Sequence, residues 1–358
     1  MIDKKIKVLI VEDSLVAQKL LKGLVLSDQR FELVAVAENG KQAIELVKKF
    51  NPDVISMDIM MPIMDGIETT RKIMQDNPTP VVIVSSFYQS SEVEMAIKVL
   101  DAGAVSILSR PFGPGHPKFN QSSQKYLNTL QLMSEIRVVR RIKKLAAIPD
   151  VKPVTTHQPL TIQNSIQNYQ VLAIGASAGG PPGLATILSG LPSNFPLPVF
   201  VVQHIDIHFA KGFAEWLNVS SKLPVRIPVN GEEIMPGNVY LSPGGHHLAI
   251  KNNKIDIYNL KEYKGVCPSV DVLFQSVAKQ YGKNSIAVLL SGMGKDGASG
   301  LKNLYDLGAF TFAQDENSCL VFGMPGEAVK LGAVCKLLTP ENIVSEIISL
   351  INFNNITI

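Results

Sequence analysis

Cysteine is scarce in this chain. Only Cys267, Cys319 and Cys335 occur in 358 residues, and no two of them form a Cys-x-x-Cys pair. An odd, scattered set suggests neither a disulfide framework nor a cysteine zinc site, and it fits a reducing cytoplasm. Charge of one sign is also in short supply: 34 Lys and Arg face 31 Asp and Glu, a formal net charge of +3. That is too small a surplus, at this length, to draw the chain to nucleic acid or an acidic membrane surface. No apolar run approaches the roughly 18 residues of a membrane helix. The first residues set Asp3, Lys4, Lys5 and Lys7 before a short apolar run ending at Glu12 and Asp13, which is not a signal peptide. Repeats of solenoid period and a compact basic helix-turn-helix pattern in the second half are missing, and the glycine turn at 175–180 lacks the G-x-G-x-x-G spacing of a dinucleotide site. The expectation is a cytoplasmic chain, monomeric, with no nucleic-acid partner and no membrane insertion.

What is present is a chain rich enough in apolar residues, 46%, to bury more than one core. Residues 6–112 alternate short Val/Ile-rich runs with amphipathic stretches, the pattern of a doubly wound parallel sheet covered by helices on both faces. Strands are expected at 7–11, 33–37, 54–57, 81–84 and 105–108, with helices at 14–26 and 40–49 between the first three. Open parallel sheets bind ligands beyond the carboxyl ends of their strands. Glu12 and Asp13 end the first strand and Asp58 the third, while Ser85 ends the fourth and Arg110-Pro111 follows the fifth. Carboxylates gathered there repel one another unless a cation lies among them, and an all-oxygen site suits Mg²⁺.

Together these residues resemble the receiver domain of bacterial response regulators. The resemblance implies that Asp58 accepts a phosphoryl group from a histidine kinase, that Glu12, Asp13 and Asp58 bind Mg²⁺, and that Ser85 contacts the phosphoryl group. Where that family carries a lysine before the proline, this chain carries Arg110, a wide planar fork in place of a compact ammonium.

Apolar residues then recur every three positions from Tyr126 to Ile142, which predicts a closing helix over 126–145. Arg137, Arg140, Arg141, Lys143 and Lys144 crowd its end, where cations complement the helix dipole. A linker with Pro149, Pro153 and Pro159 follows to residue 168. The expected organisation is 1–125, a closing helix and linker over 126–168, and a second α/β unit over 169–358. In that unit strands are expected at 170–174, 199–203, 239–242, 247–251, 255–258 and 286–291. The stretch 237–260 reads as an antiparallel hairpin added to a second doubly wound parallel sheet.

The informative run of the second unit is Val171-Leu-Ala-Ile-Gly-Ala-Ser-Ala-Gly-Gly180, a buried strand breaking into small residues around one serine. Pro181 and Pro182 then open a helix, as proline is tolerated in the first helical turn. A serine hydroxyl becomes a nucleophile when a base takes its proton and a third group orients the base. His204, after the strand 199–203, and Asp296, in the glycine-rich turn after 286–291, are candidates at neighbouring strand ends. The G-x-S-x-G elbow of lipases is a near relative, but those enzymes run serine, acid, histidine, and this chain runs serine, histidine, acid.

Ile174-Gly-Ala-Ser-Ala-Gly-Gly180, Val202-Gln-His-Ile205, Leu241-Ser-Pro-Gly-Gly-His-His-Leu248, Pro268-Ser-Val-Asp271 and Ser291-Gly-Met-Gly-Lys-Asp-Gly297 are similar to the motifs of the chemotaxis protein-glutamate methylesterases. Ala313-Gln-Asp-Glu-Asn-Ser318 and Gly323-Met-Pro325 continue the likeness, which spans nearly the whole chain. It implies a flavodoxin-like receiver followed by a Rossmann-like hydrolase domain. It further implies Ser177 as nucleophile, His204 as base, Asp296 as its orienting acid, and the positions of Met293 and Ala178 at the oxyanion hole. Relatives commonly carry Thr at the position of Ala178, and His247 matches a recurrent family histidine. The implied partners are a chemotaxis histidine kinase as phosphodonor and methyl-accepting receptors as substrate. Glutamate methyl esters are the implied substrate groups and receptor glutamines a second one. The hydrolase chemistry calls for no cofactor. The alternative is a response regulator whose second domain binds a partner without turning over substrate.

Overall fold

The computed structural model describes residues 4–85, 95, 98–100, 102–136, 138, 168–259 and 265–352. The first unit runs β1 Ile6–Val11, α1 Leu15–Ser27, β2 Phe31–Ala37, α2 Gly40–Phe50, β3 Val54–Met57, α3 Gly66–Asp76, β4 Val81–Ser85, β5 Ser106–Ser109 and α4 Phe119–Ser134. Its five strands lie in the order β2-β1-β3-β4-β5, all parallel, which is the flavodoxin-like order. Every residue of β3 and β4 is buried, as expected of strands covered on both faces. The first three helices begin where a side chain replaces a missing backbone partner. Ser14 accepts the N–H of Ala17, Asn39 that of Gln42 and Asp65 that of Glu68.

The closing helix α4 begins seven residues ahead of the predicted Tyr126 and ends at Ser134. Its buried stripe is Ser123, Tyr126, Leu127, Leu130 and Met133. The stripe opens on a buried serine, which an apolar period does not register. The basic cluster expected at 137–144 and most of the linker lie outside the described residues.

The second unit runs β6 Val171–Ala176, α5 Pro181–Gly190, β7 Val199–Gln203, α6 Ile207–Ser220, β8 Val225–Arg226, β9 Val239–Leu241, β10 His247–Lys251, β11 Lys254–Tyr258, α7 Val270–Tyr281, β12 Ser285–Leu289, α8 Ala298–Asp306, β13 Phe310–Gln314, α9 Met324–Lys330, β14 Lys336–Leu338 and α10 Pro340–Asn352. Seven strands form one sheet in the order β14-β13-β12-β6-β7-β9-β8, parallel throughout. The hairpin β10-β11 is antiparallel as predicted, but it forms a two-stranded sheet of its own and lies against α7. Its residues Leu248, Ile250 and Ile255 share a core with Phe274 and Val277 of that helix.

β6 is central in the large sheet, between β12 and β7, and all six of its residues are buried. The ends of β6, β7 and β12 therefore emerge side by side, carrying the serine turn, Gln203-His204 and the turn that contains Asp296. Among the described residues no helix is long and apolar enough to cross a membrane.

Candidate active site and acidic pocket

The three residues proposed from the strand ends meet. His204 Nδ1 lies 3.0 Å from Ser177 Oγ, and His204 Nε2 lies 2.8 Å from Asp296 Oδ2. One tautomer of neutral imidazole satisfies both contacts: Nε2–H donates to the carboxylate and bare Nδ1 accepts from the serine hydroxyl.

Asp296 is a partly buried carboxylate that accepts from several donors. Burial pushes its pKa up, but the bonds from His204, Val270 N–H and Ser269 Oγ outweigh burial and hold it below the ordinary carboxylate range. Ser269 donates to Oδ1 at 2.8 Å, Val270 N–H to Oδ2 at 2.7 Å and Asp271 N–H to Oδ1 at 3.2 Å. All three come from the start of α7, whose free N–H groups and dipole favour a negative charge. Ser269 also accepts the Val272 N–H, so one hydroxyl caps the helix and fixes the acid. The sequence carried the signal for this, a serine ahead of an apolar helix, but it did not say which carboxylate the serine would face.

Close approach of two glycine-rich turns builds the rest of the site. A Cβ at Gly292 would come within 2.2 Å of Met324 Sδ and 2.8 Å of Ser177 Cβ, so only glycine lets the β12 turn pass the serine. Gly179 has φ +72, and a Cβ there would lie 2.4 Å from Leu320 Cβ. Two further residues brace the serine turn. Gln203 Nε2 donates to Ser177 O at 3.0 Å, and Ser291 Oγ donates to Ala178 O at 2.8 Å. The Ser177 N–H is taken by Ser291 O at 3.0 Å. The N–H groups of Ala178 and Met293 have no backbone partner among the described residues. His247 is fully buried, its ring tilted against Tyr258. Burial lowers its pKa.

The first unit sits directly on this site. A cavity of 460 Å³ is lined on one side by Ser177, His204 and Cys267 and on the other by Leu108, Lys125 and Met133. Ala178 and Met293 pack against the apolar cluster that contains Leu108, Leu130 and Met133, and Leu320 and Val321 belong to that cluster. Phe209 of α6 is fully buried in the other core of the first unit, with Leu100 and Ile107. Lys125 of α4 pairs with Asp206, the cap of α6 that lies two residues beyond His204. An ion pair with a half-exposed lysine contributes at most about 1 kcal/mol. The apolar contacts therefore do most of the covering.

The other predicted site residues gather at the carboxyl end of the first sheet. Oxygens of Glu12, Asp13 and Asp58 all lie within 4.8 Å of one another. An all-oxygen donor set of this spread suits a hard divalent ion after a small inward shift. Asp58 is pushed up by burial, against a hydrogen bond from Ser85, the charge of Arg110 and the Ile59 N–H at 2.8 Å. Glu12 is fully buried, and burial and the charge of Asp58 push it up to about 7. Arg110 reaches into the pocket, with one Nη2 at 2.8 Å from Glu12 Oε2 and 3.1 Å from Asp58 Oδ2.

Glu12 gives a stability prediction. Its carboxyl holds a proton in the folded metal-free protein that the unfolded chain releases above about 4.5. That contribution is present below the unfolded value and is lost as pH rises through about 7. A bound cation reverses the preference. Millimolar Mg²⁺ is therefore expected to raise the melting temperature by several degrees at pH 8 and by little at pH 5.5, as read by calorimetry. Equal shifts at both values would contradict it.

A family model described as CheB methylesterase matches residues 172–347, and one described as response regulator receiver domain matches residues 8–117. The chain is 42% identical over 350 residues to "Protein-glutamate methylesterase/protein-glutamine glutaminase 4" of Geobacter metallireducens, covering 96% of this chain and 99% of the relative. It is 43% identical over 339 residues to the relative of that name numbered 3 from Hahella chejuensis, covering 94% and 96%. The crystal structure of the Thermotoga maritima CheB methylesterase catalytic domain is 37% identical, covers 51% of this chain and 98% of its own, and superposes with a TM-score of 0.49.

Proposed function

The chain belongs to the CheB methylesterase family, with a response regulator receiver domain ahead of the hydrolase, and on that footing we propose that it is a phosphorylation-activated serine hydrolase. Its substrates in this reading are glutamate methyl esters of chemotaxis receptors, and receptor glutamines as a second group. Residues 1–125 are the receiver, 126–168 the connection and 169–358 the hydrolase, and the protein works in the cytoplasm.

The observation that carries the reading is His204 within hydrogen-bond reach of both Ser177 and Asp296. Ser177 Oγ attacks the γ-carbonyl carbon while Nδ1 of His204 takes its proton, and Asp296 stabilises the imidazolium through Nε2–H. The N–H groups of Ala178 and Met293 hold the oxyanion. Collapse breaks the bond to the leaving group, and Nδ1–H protonates it as methanol or ammonia. Water then gives its proton to Nδ1 and attacks the acyl carbon, which frees the glutamate and restores Ser177 Oγ–H. No step of this sequence uses a metal.

Control comes from the receiver. Glu12, Asp13 and Asp58 would hold Mg²⁺, whose charge offsets that of an incoming phosphoryl group. Asp58 takes that group from a chemotaxis histidine kinase, and Ser85 and Arg110 contact its oxygens. The added charge disfavours the packed arrangement in which Leu108, Lys125 and Met133 close the cavity over Ser177.

Methanol release from methylated receptor membranes tests this. Acetyl phosphate with Mg²⁺ is expected to raise the rate about tenfold in the parent and to leave Asp58→Asn unchanged. A preserved response in Asp58→Asn would overturn the assignment of Asp58. Failure of a fluorophosphonate to label Ser177 in the stimulated protein would favour a binding module without turnover.

A further inference from the structure

Arg110 contacts the acidic pocket at the two members a divalent ion needs most. One Nη2 bridges Glu12 Oε2 and Asp58 Oδ2, the two buried carboxylates of the cluster. Oxygens that accept charge-assisted bonds from a guanidinium are turned toward it and have given up lone pairs that a cation would use. Mg²⁺ demands nearly ideal geometry and loses its waters reluctantly, so it cannot share such oxygens with a guanidinium held between them.

We infer that Arg110 is a resident counter-cation of this pocket, held on the carboxylates that the divalent ion must use, so that the ion binds only after the guanidinium has left. The inference rests on the divalent-ion reading of Glu12, Asp13 and Asp58. The departing side chain has somewhere to go. On its other side Arg110 borders a groove of 740 Å³ formed with Lys19, Leu20, Pro114 and Phe119. Its Nε is buried and has no hydrogen-bond partner among the described residues, so only the end of the guanidinium is held by the carboxylates.

A lysine would end one bond earlier, with a single ammonium in place of a fork. The arginine thus sets the concentration at which the receiver becomes competent for phosphorylation. It also keeps the metal-free carboxylates from repelling one another. Both effects come from one side chain held in place of the metal.

The test reads metal binding rather than activity. Mn²⁺ is titrated into full-length parent and Arg110→Ala, and free Mn²⁺ is followed by electron paramagnetic resonance. Removing the guanidinium is expected to tighten binding about tenfold or more. Methylguanidinium, small enough to enter the vacated position, is expected to weaken Mn²⁺ binding to Arg110→Ala several-fold beyond an equal concentration of tetramethylammonium, and to have no such effect on the parent. Equal affinities in parent and variant overturn the inference. So does a methylguanidinium effect no larger than that of tetramethylammonium, which would reduce Arg110 to a distant positive charge. Absence of Mn²⁺ binding in both proteins overturns the divalent-ion reading beneath it. Arg110→Gln provides the same comparison should the alanine variant fold poorly.

Discussion

Ser177→Ala is expected to lower methanol release from methylated receptor by roughly 10⁴-fold or more, with little change in stability. Ser177 is nearly buried at the end of β6, and its Oγ bonds to His204 at 3.0 Å. Losing that bond costs about 0.5–1.5 kcal/mol. The Ser177 N–H and carbonyl keep their partners in Ser291 and in Gln203 and Gly180. The turn should therefore keep its shape, with the oxyanion donors in place and no oxygen to attack the ester. A melting temperature within a few degrees of the parent together with abolished turnover is the expected pair of results. Turnover within tenfold of the parent would remove Ser177 from the mechanism.

Asp296→Asn is expected to reduce kcat by roughly 10⁴-fold while leaving KM nearly unchanged. The carboxylate accepts from four donors, namely His204 Nε2–H, Ser269 Oγ–H, Val270 N–H and Asp271 N–H. An amide offers one accepting oxygen and one donating nitrogen. Turned with its oxygen toward His204 and Val270, it sets its NH₂ against Asp271 N–H. Turned the other way, it meets two donors at once and favours the imidazole tautomer with Nδ1 protonated, which cannot accept from Ser177. Either orientation removes the charge that stabilises imidazolium. A cost of about 1–3 kcal/mol in stability accompanies the unmet donor. Measuring kcat and KM across pH separates the two effects, because a merely structural defect would not single out kcat. Parent-like kcat in this variant would mean that His204 acts without Asp296.

Both predictions concern residues whose chemistry could be read along the chain. Ser177 follows a fully apolar strand and sits among glycines, and His204 and Asp296 each follow a strand. Parallel-sheet logic sends such ends to one edge. Most strand positions in both halves were legible for the same reason, since a strand buried on both faces must be apolar along its length; β13, Phe310–Gln314, is absent from the expected strands although it lies inside the large sheet, because Thr311 and Gln314 interrupt its apolar run. Short edge elements were harder. β8, Val225–Arg226, and β14, Lys336–Leu338, have too few residues to show a pattern, and α4 begins on polar residues that contribute little to an apolar period.

Which groups are available is written along the chain: a serine, a histidine and an aspartate at strand ends, three carboxylates at the end of another sheet, and an arginine where a lysine is expected. Periodicity and strand-end position are local properties, and local properties survive in a linear text. That His204 presents Nδ1 to the serine and Nε2 to Asp296, that the start of α7 holds Asp296, and that Arg110 bridges Glu12 and Asp58 emerge from the packing alone. It alone decided that the receiver rests on Ala178 and Met293. Each of these depends on how elements far apart in the chain cross and pack, and no spacing along the chain encodes that geometry.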